Sequence, residues 1–538
     1  MPLRQETATA GDDARVDAAA VVRADREARR AAWLAGAAAL ILYVATNHPL
    51  VRSGDPGQFQ VMAATGGIAH SGYAPVVLLL RLFGHLPISS MAFRANLLSC
   101  VAGAIAVAFA AWTGARLSGS WTAGLIGALA FATGRTMWKE STEAGVHAPA
   151  IAFNAALFLL AMAFDRRPSR GVALALGLLG GLSLLSHLSV LALAPVLLVI
   201  LWRAAARASL RASHVALALA GFAAGLAPVV YTFAMDRPTQ PMNYIEDILE
   251  LEPAELVRTT RMPVTRFERV AWLMSGAQYL DYPKPAGAAR FPHARRAAVL
   301  GSEVVFNQYP LWGAPLALYG LWLLRRRRVA QLWMPALLLA GSFATAIALV
   351  DGWILSFFFL PGMWAMAVLM AAGLAALMPR GRPLGGVLAA ALLLAAPWLR
   401  MGMPHAPGPI DRYTLTRVVW SMWPQEWSPL RRDATWDTYG RGVMEALPPH
   451  AALLANWGEG NVMRYFVYAE PLRRDVEVVH TTGFPLRTLH AEAMERAAGR
   501  PVFATYPPDS VMAAALDFTP VARWPAGGLW RVTPTHPN

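Results

Sequence analysis

Lysine is almost missing from this 538-residue chain: Lys139 and Lys284 stand against a total of 47 basic residues, the rest arginine. Cysteine is rarer still. Cys100 is alone inside an apolar run, so neither an intramolecular disulfide nor a CxxC metal or redox centre can form. Lys, Asp and Glu are absent from the middles of the long apolar runs and the halves do not repeat, which weighs against a transporter or flippase with ionisable groups at mid-bilayer. No cleavable signal pattern precedes the first apolar run. Residues 1–30 are Ala-rich and charged, so that run is expected to stay as an uncleaved anchor behind a polar cytoplasmic tail.

What is present is overwhelmingly apolar: 56% of residues are hydrophobic and mean hydropathy is +0.40. A net charge of +14 might suggest nucleic acid, but the arginines are scattered through short connections between apolar runs and form no single basic face. The pattern predicts an all-α polytopic membrane domain over 31–400 with about eleven transmembrane helices: 31–47, 95–117, 121–138, 148–164, 171–186, 188–202, 213–235, 308–324, 332–350, 356–378 and 383–399. The pair 171–202 is divided at Ser186-His187, where polar residues interrupt the apolar run.

Arginines at 23, 26, 29, 30, 116, 166, 167, 170, 203, 207, 211, 325–328, 380 and 382 then fall on one side of these spans, and the short loops opposite carry few. Under the positive-inside rule the N-terminus is cytoplasmic, and loops 48–94, 139–147 and 236–307 face outward with everything after residue 400. The expected location is a bacterial inner membrane. Residues 401–538 change character. Short apolar strands (451–455, 475–480, 501–505) alternate with helical stretches (437–447, 461–468, 488–498), predicting a small C-terminal α/β extracytoplasmic domain with a partly parallel sheet.

Candidate chemistry gathers in the outward loops. Gly54, Pro56 and Gly57 predict a turn from which Asp55 projects, near the membrane surface, where a carboxylate can take a proton from an incoming hydroxyl; an Asp that merely caps the next helix is the plainer alternative. Gln58 follows. His70 and Tyr73 lie in a second turn, before an amphipathic segment (Tyr73 to Pro87) suited to the interface. Arg94 offers a guanidinium fork for phosphate, and the loop with Lys139, Glu143 and His147 offers an ammonium, a second acid and an imidazole. His187 sits at the polar helix break, and Asp351 is one further acid on the same side. Asn456-Trp457-Gly458-Glu459 reads as an ordinary turn after a strand.

In order and spacing, these pieces resemble the protein O-mannosyltransferase-like family, similar to the GT-C glycosyltransferases. Gly54-Asp55-Pro-Gly-Gln58-Phe59 resembles its D-x-G-E-F motif, His70-Ser-Gly-Tyr73-Ala-Pro75 its H-P-P-G-Y-P turn, and Arg94-Ala-Asn96-Leu-Leu-Ser99 its R-x-N-L-x-S entry to a span; Gly181 to His187 and Phe358 to Pro361 resemble further pieces. The resemblance implies a GT-C-like fold, Asp55 as the essential acid, and a polyprenyl-phosphate-linked sugar as donor. The chain departs from the pattern at Gln58, where the family has Glu, at Ser71 and Ala74, and at Gly145-Val146-His147, where the family has Glu-Val-Tyr.

The expected function is transfer of a sugar from lipid phosphate to a hydroxyl on a protein, lipid or glycan acceptor. The expected partners are membrane lipid and the lipid-linked sugar, with no nucleic acid. Use of a divalent metal stays open, with no residue assigned as a ligand. A transporter or flippase of lipid-linked substrates, or an inactive GT-C-like scaffold, are the competing readings.

Overall fold

Long runs of Ala, Leu, Val and Gly favour helices, which satisfy their backbone polar groups within themselves. The computed structural model describes residues 10–251, 264–277, 297, 300–301, 308–309, 312–327, 329–349, 355–378, 384–402, 433–480, 499–507 and 516–534. In chain order its helices are α1 (Ala10–Thr46), α2 (Asp55–Thr65), α3 (Ala74–Gly84), α4 (Met91–Ser118), α5 (Trp121–Ala132), α6 (Arg135–Thr142), α7 (His147–Arg166) and α8 (Arg170–Ser186). A 3-10 turn (Leu188–Leu193) leads to α9 (Ala194–Ala206), α10 (Ala212–Gly225), α11 (Val229–Met235), α12 (Tyr244–Leu251) and α13 (Arg266–Ser275). Then come α14 (Gly313–Arg326), α15 (Trp333–Leu349), α16 (Leu355–Phe358), α17 (Leu360–Leu377), α18 (Leu384–Gly402), α19 (Thr435–Ala446) and α20 (Trp457–Arg464).

Each expected span coincides with one or more of these helices. Among the described residues, six stretches are long and apolar enough to cross a bilayer: Ala24–Thr46, Met91–Ser118, His147–Arg166, Leu188–Ala206, Ala212–Met235 and Leu360–Leu377. The others are shorter than the roughly 20 residues a perpendicular crossing needs. The expected 121–138 span is broken: α5 ends at Ala132 and α6 begins at Arg135. Gln308 supports the break, its Nε2 donating to the Phe131 carbonyl (3.0 Å) while its Oε1 accepts from the Met137 amide (3.4 Å). The polar tail is also more ordered than its composition suggests. From Ala10 it is continuous with α1, and Arg30 lies 4.1 Å from the centre of the Trp121 ring.

The bundle core is built from small residues and a few large anchors, with Trp138, Trp364, Tyr43 and Tyr309 fully buried. Side chains such as Ile41 (70% exposed), Leu198 (66%) and Leu219 (65%) point outward from spans, where hydrocarbon is their natural solvent. Helices α8 and α10 meet backbone to backbone: a Cβ on Gly181 would fall 2.9 Å from the Cα of Gly225.

The C-terminal part is the expected α/β unit. Five strands, β1 (Ala452–Ala455), β2 (Glu477–His480), β3 (Val502–Ala504), β4 (Leu516–Trp524) and β5 (Gly527–Pro534), form one sheet in the order β2-β1-β3-β5-β4. β1 is parallel to β2 and β3, whereas β5 is antiparallel to β3 and β4. The β4–β5 hairpin was not foreseen, because Pro520 and alternating exposure obscure its period. The expected helix 488–498 lies outside the described residues, as does Asp351.

This unit shares a hydrophobic core with the 51–98 region. Val51, Phe59, Val76 and Leu80 cluster with Tyr439, Leu453, Val462, Tyr465 and Phe466, and the Tyr465 hydroxyl accepts from the Ala92 amide at 3.1 Å. The sheet unit is thereby built onto α2 and the start of α4.

Candidate active site

Asp55 opens α2 instead of projecting from an isolated turn. Gly54 is the N-cap, with φ at 70°, and Pro56 occupies the first turn, where its missing N–H costs nothing. The same Gly-Asp-Pro-Gly letters that suggest a turn therefore start a helix. Asp55 does not do a capping residue's work either: its Oδ1 accepts from the Trp457 indole N–H at 2.9 Å. Its carboxylate stays half exposed.

Trp457 is the first residue of α20, directly after parallel strand β1, at the end of a sheet where ligand crevices form. Two further contacts seat α20 on α2. The Asn461 amide donates to the Gly54 carbonyl at 3.2 Å, and a Cβ on Gly57 would lie 3.2 Å from the Asn461 Cβ. Sequence reading passed over Trp457 because its partner is 402 residues away; its one local signal was the position after a buried strand.

His70 lies beside Asp55, with Nε2 3.8 Å from Oδ2. Its Nδ1 is 2.8 Å from the Gln58 amide oxygen, and since an amide oxygen only accepts, Nδ1 carries the proton. Gln58 thus supplies the imidazole with an acceptor without adding a buried negative charge. Burial lowers the His70 pKa below its ordinary value although Asp55 pulls the other way, so the ring is neutral near pH 7 and its Nε2 lone pair faces Asp55. Phe59, Tyr73, Tyr244 and Trp457 surround this ring, with centroids 6.0, 5.2, 6.2 and 5.9 Å away.

Beyond Tyr73 the rings continue. His187 stacks with Tyr73 (6.3 Å) and packs on Phe358 (4.5 Å) and His147 (5.0 Å). His147 Nδ1 is 2.7 Å from Glu140, which begins a chain of charges: Glu140 meets Lys139 at 3.4 Å, Lys139 meets Glu143 at 3.1 Å, Glu143 meets Arg52 at 3.0 Å, and Arg52 meets Asp433 at 2.7 Å. Burial alone would raise the carboxyl pKa values, but the neighbouring Lys139 outweighs it. With help from His147, Glu140 is held at about 2, and with help from Arg52, Glu143 is held below its ordinary value. Conversely Arg52 and Lys139 are raised, because their carboxylate partners overcome the burial that disfavours their charge.

Of the residues singled out from sequence, Asp55, Gln58, His70, Tyr73, His187, His147, Lys139 and Glu143 are therefore linked by contacts running from α2 to α7. Arg94 is elsewhere: its Nη1 donates to the Gly84 and Leu86 carbonyls (2.8 and 3.1 Å), closing the C-terminal end of α3. Arg52, Glu140 and Trp457 were missed. Arg52 in particular, between an apolar residue and a Ser-Gly turn, carries no local mark of its distant partners. Among the described residues no group of His, Cys, Asp and Glu has the arrangement of a metal site.

A solved structure shares the fold of this helical bundle with its small α/β unit. The crystal structure of ArnT from Cupriavidus metallidurans bound to undecaprenyl phosphate superposes with a TM-score of 0.52 over 93% of this chain and 97% of that one, at 14% identity. The chain is a multi-pass membrane protein of this fold.

More specifically, residues 55–209 match the Protein O-mannosyl-transferase TMEM260 N-terminal domain. Protein O-mannosyl-transferase TMEM260 of Mus musculus is 34% identical over 185 residues, 33% of this chain. The match spans about a quarter (26%) of that relative's length. The family match begins at Asp55 and takes in His70, Tyr73, Lys139, Glu143, His147 and His187.

Proposed function

We propose that this chain is a membrane glycosyltransferase that moves a sugar from a polyprenyl-phosphate donor to a hydroxyl acceptor on the extracytoplasmic face of a bacterial inner membrane, with Asp55 as the base. The observation that carries the reading is the half-exposed Asp55 carboxylate, oriented by Trp457 and facing the Nε2 lone pair of His70 across 3.8 Å. That gap is too long for a hydrogen bond, and both sides accept. A hydroxyl seated beside the pair, within hydrogen-bond reach of both, finds an acceptor for its proton on either atom. As the proton passes to Asp55, the acceptor oxygen bonds to the anomeric carbon, the carbon–oxygen bond to phosphate breaks, and the lipid phosphate leaves with the electron pair. The leaving group needs hydrogen-bond donors and no proton. A hexose donor and a hydroxyl acceptor are supported by the O-mannosyl-transferase name of the curated relative.

Trp457 makes the sheet unit part of this site, which supports a role for residues 401–538 in presenting the acceptor.

The test is Asp55→Asn in the full-length, detergent-purified protein, assayed with a polyprenyl-phosphate-linked hexose. A general base contributes about 10²–10⁴-fold, so transfer should fall by that factor with the folded protein intact. Transfer at the wild-type rate would refute Asp55 as base. Absence of transfer in wild type across such donors would favour the scaffold reading.

A further inference from the structure

His187 is held in one tautomer by the backbone. Its side chain caps the 3-10 turn that follows, Nδ1 accepting from the Ser189 N–H at 3.1 Å. A backbone amide can only donate, so Nδ1 must keep its lone pair and the ring proton sits on Nε2. The turn itself is pinned: the Asn154 amide donates to Ser189 Oγ at 3.1 Å, and both Ser189 and Asn154 are buried. In this state His187 offers a donor at Nε2, with no acceptor lone pair there for a base or a metal.

The residue is 4% exposed, and among the described residues its side chain hydrogen-bonds through Nδ1, with no acceptor on Nε2. It lies in the ring cluster of Tyr73, His147 and Phe358, at a break between membrane helices. Nε2 is not among the fully sealed unpaired polar atoms, so this donor opens on space that a ligand can reach.

Among the described residues, the cations that the sequence offered for phosphate are already engaged. Arg52 bonds both Glu143 and Asp433, and Lys139 bonds both Glu140 and Glu143. Arg94 is spent on backbone carbonyls. A lipid phosphate arriving here therefore meets cations that carboxylates have largely neutralised, beside one imidazole whose N–H has no competitor. A permanent donor bonds a charged oxyanion more strongly than a neutral hydroxyl, which favours the phosphate over the sugar at this position.

We propose that His187 binds the phosphate of the lipid donor and of the departing lipid phosphate, as a neutral Nε2–H donor between α8 and α9. This rests on the reading of the chain as a polyprenyl-phosphate-dependent transferase, and adds a phosphate contact to the role for which Arg94, Lys139 or an Arg of the 236–307 loop was expected.

Two substitutions separate the capping role from the binding role. In His187→Asn the amide oxygen takes the place of Nδ1 and keeps the cap, but nothing reaches the Nε2 position. In His187→Gln the amide nitrogen reaches the Nε2 position and the cap is weakened. Binding of polyprenyl phosphate and of the matching polyprenol to the purified full-length protein is measured for both variants, alongside thermal stability. A hydrogen bond to a charged group corresponds to about 10–150-fold. His187→Asn should keep wild-type stability and lose polyprenyl-phosphate affinity by about 10-fold or more, with polyprenol binding unchanged. His187→Gln should be less stable and hold phosphate better than His187→Asn. Equal phosphate affinity in wild type and His187→Asn, or an equal loss for polyprenol, overturns the proposal. If wild type and Asp55→Asn bind phosphate and polyprenol indistinguishably, it is the polyprenyl-phosphate reading that fails.

Discussion

Replacing Arg52 by Met tests whether the buried charge chain holds the site together. The guanidinium is 6% exposed and bonds Glu143 at 3.0 Å and Asp433 at 2.7 Å. Its loss strands the partners unequally. Asp433 is 16% exposed and still accepts from the Thr435 N–H at 3.0 Å, so water compensates part of its loss. Glu143 is 8% exposed and keeps Lys139 at 3.1 Å. Removing one partner of a buried pair costs about 3–5 kcal/mol; with these compensations the expected destabilisation is the lower end, about 3 kcal/mol. The assay is equilibrium unfolding of the full-length protein in mixed micelles by denaturing detergent, followed by tryptophan fluorescence. Adding Glu143→Gln removes the stranded charge, so the double variant should be more stable than Arg52→Met alone by about 1 kcal/mol or more, although Glu143→Gln destabilises the wild type. A loss below about 1 kcal/mol for Arg52→Met, or strictly additive losses, would show that the chain of charges does not bear on stability.

Two other outcomes follow from the same geometry. Trp457→Phe keeps the ring among His70 and Tyr244 but removes the N–H that orients Asp55; misplacing the base should lower kcat by about 10-fold or more, while water replaces the donor at the half-exposed carboxylate and the unfolding midpoint stays near wild type. The acid limb of stability should follow the depressed carboxyls. Glu140 moves from an ordinary 4.5 to about 2 on folding, so its contribution is complete above pH 4.5 and is lost as pH falls toward 2. Unfolding midpoints measured from pH 7 to pH 2 should drop mainly in that window, and by less in Glu140→Gln; an equal drop in both would contradict the assignment.

The apolar runs made the bundle legible, because a helix is the only way such segments satisfy their backbone in hydrocarbon, and the strand-helix alternation after residue 400 made the parallel strands legible too. Local grammar misled where one set of letters serves two structures. Gly54-Asp55-Pro56-Gly57 reads as a turn, yet Pro56 in a first turn after a Gly cap is equally a helix start, and packing against Asn461 selects the helix. Arg94 looked like a phosphate ligand because a guanidinium suits both phosphate and orphan carbonyls, and here the end of α3 claims it. Trp457 and Arg52 act through partners hundreds of residues away, and no window along the chain contains both ends of such a contact. Gln58 looked like a lost acid; the fold gives it an imidazole to accept from, a task that needs no charge.

The bond from Trp457 to Asp55 also carries an order of events. Its two ends are 402 residues apart, so during synthesis the acid and the whole helical bundle exist before the residue that orients the acid has been made. A nascent chain, or one cut short before α20, displays Asp55 without its indole partner and with α2 lacking the Asn461 contact. The finished site then waits for the sheet unit to fold back onto the first loop. The contact is a record of assembly: the acid gains its partner only after the bundle between them has been made.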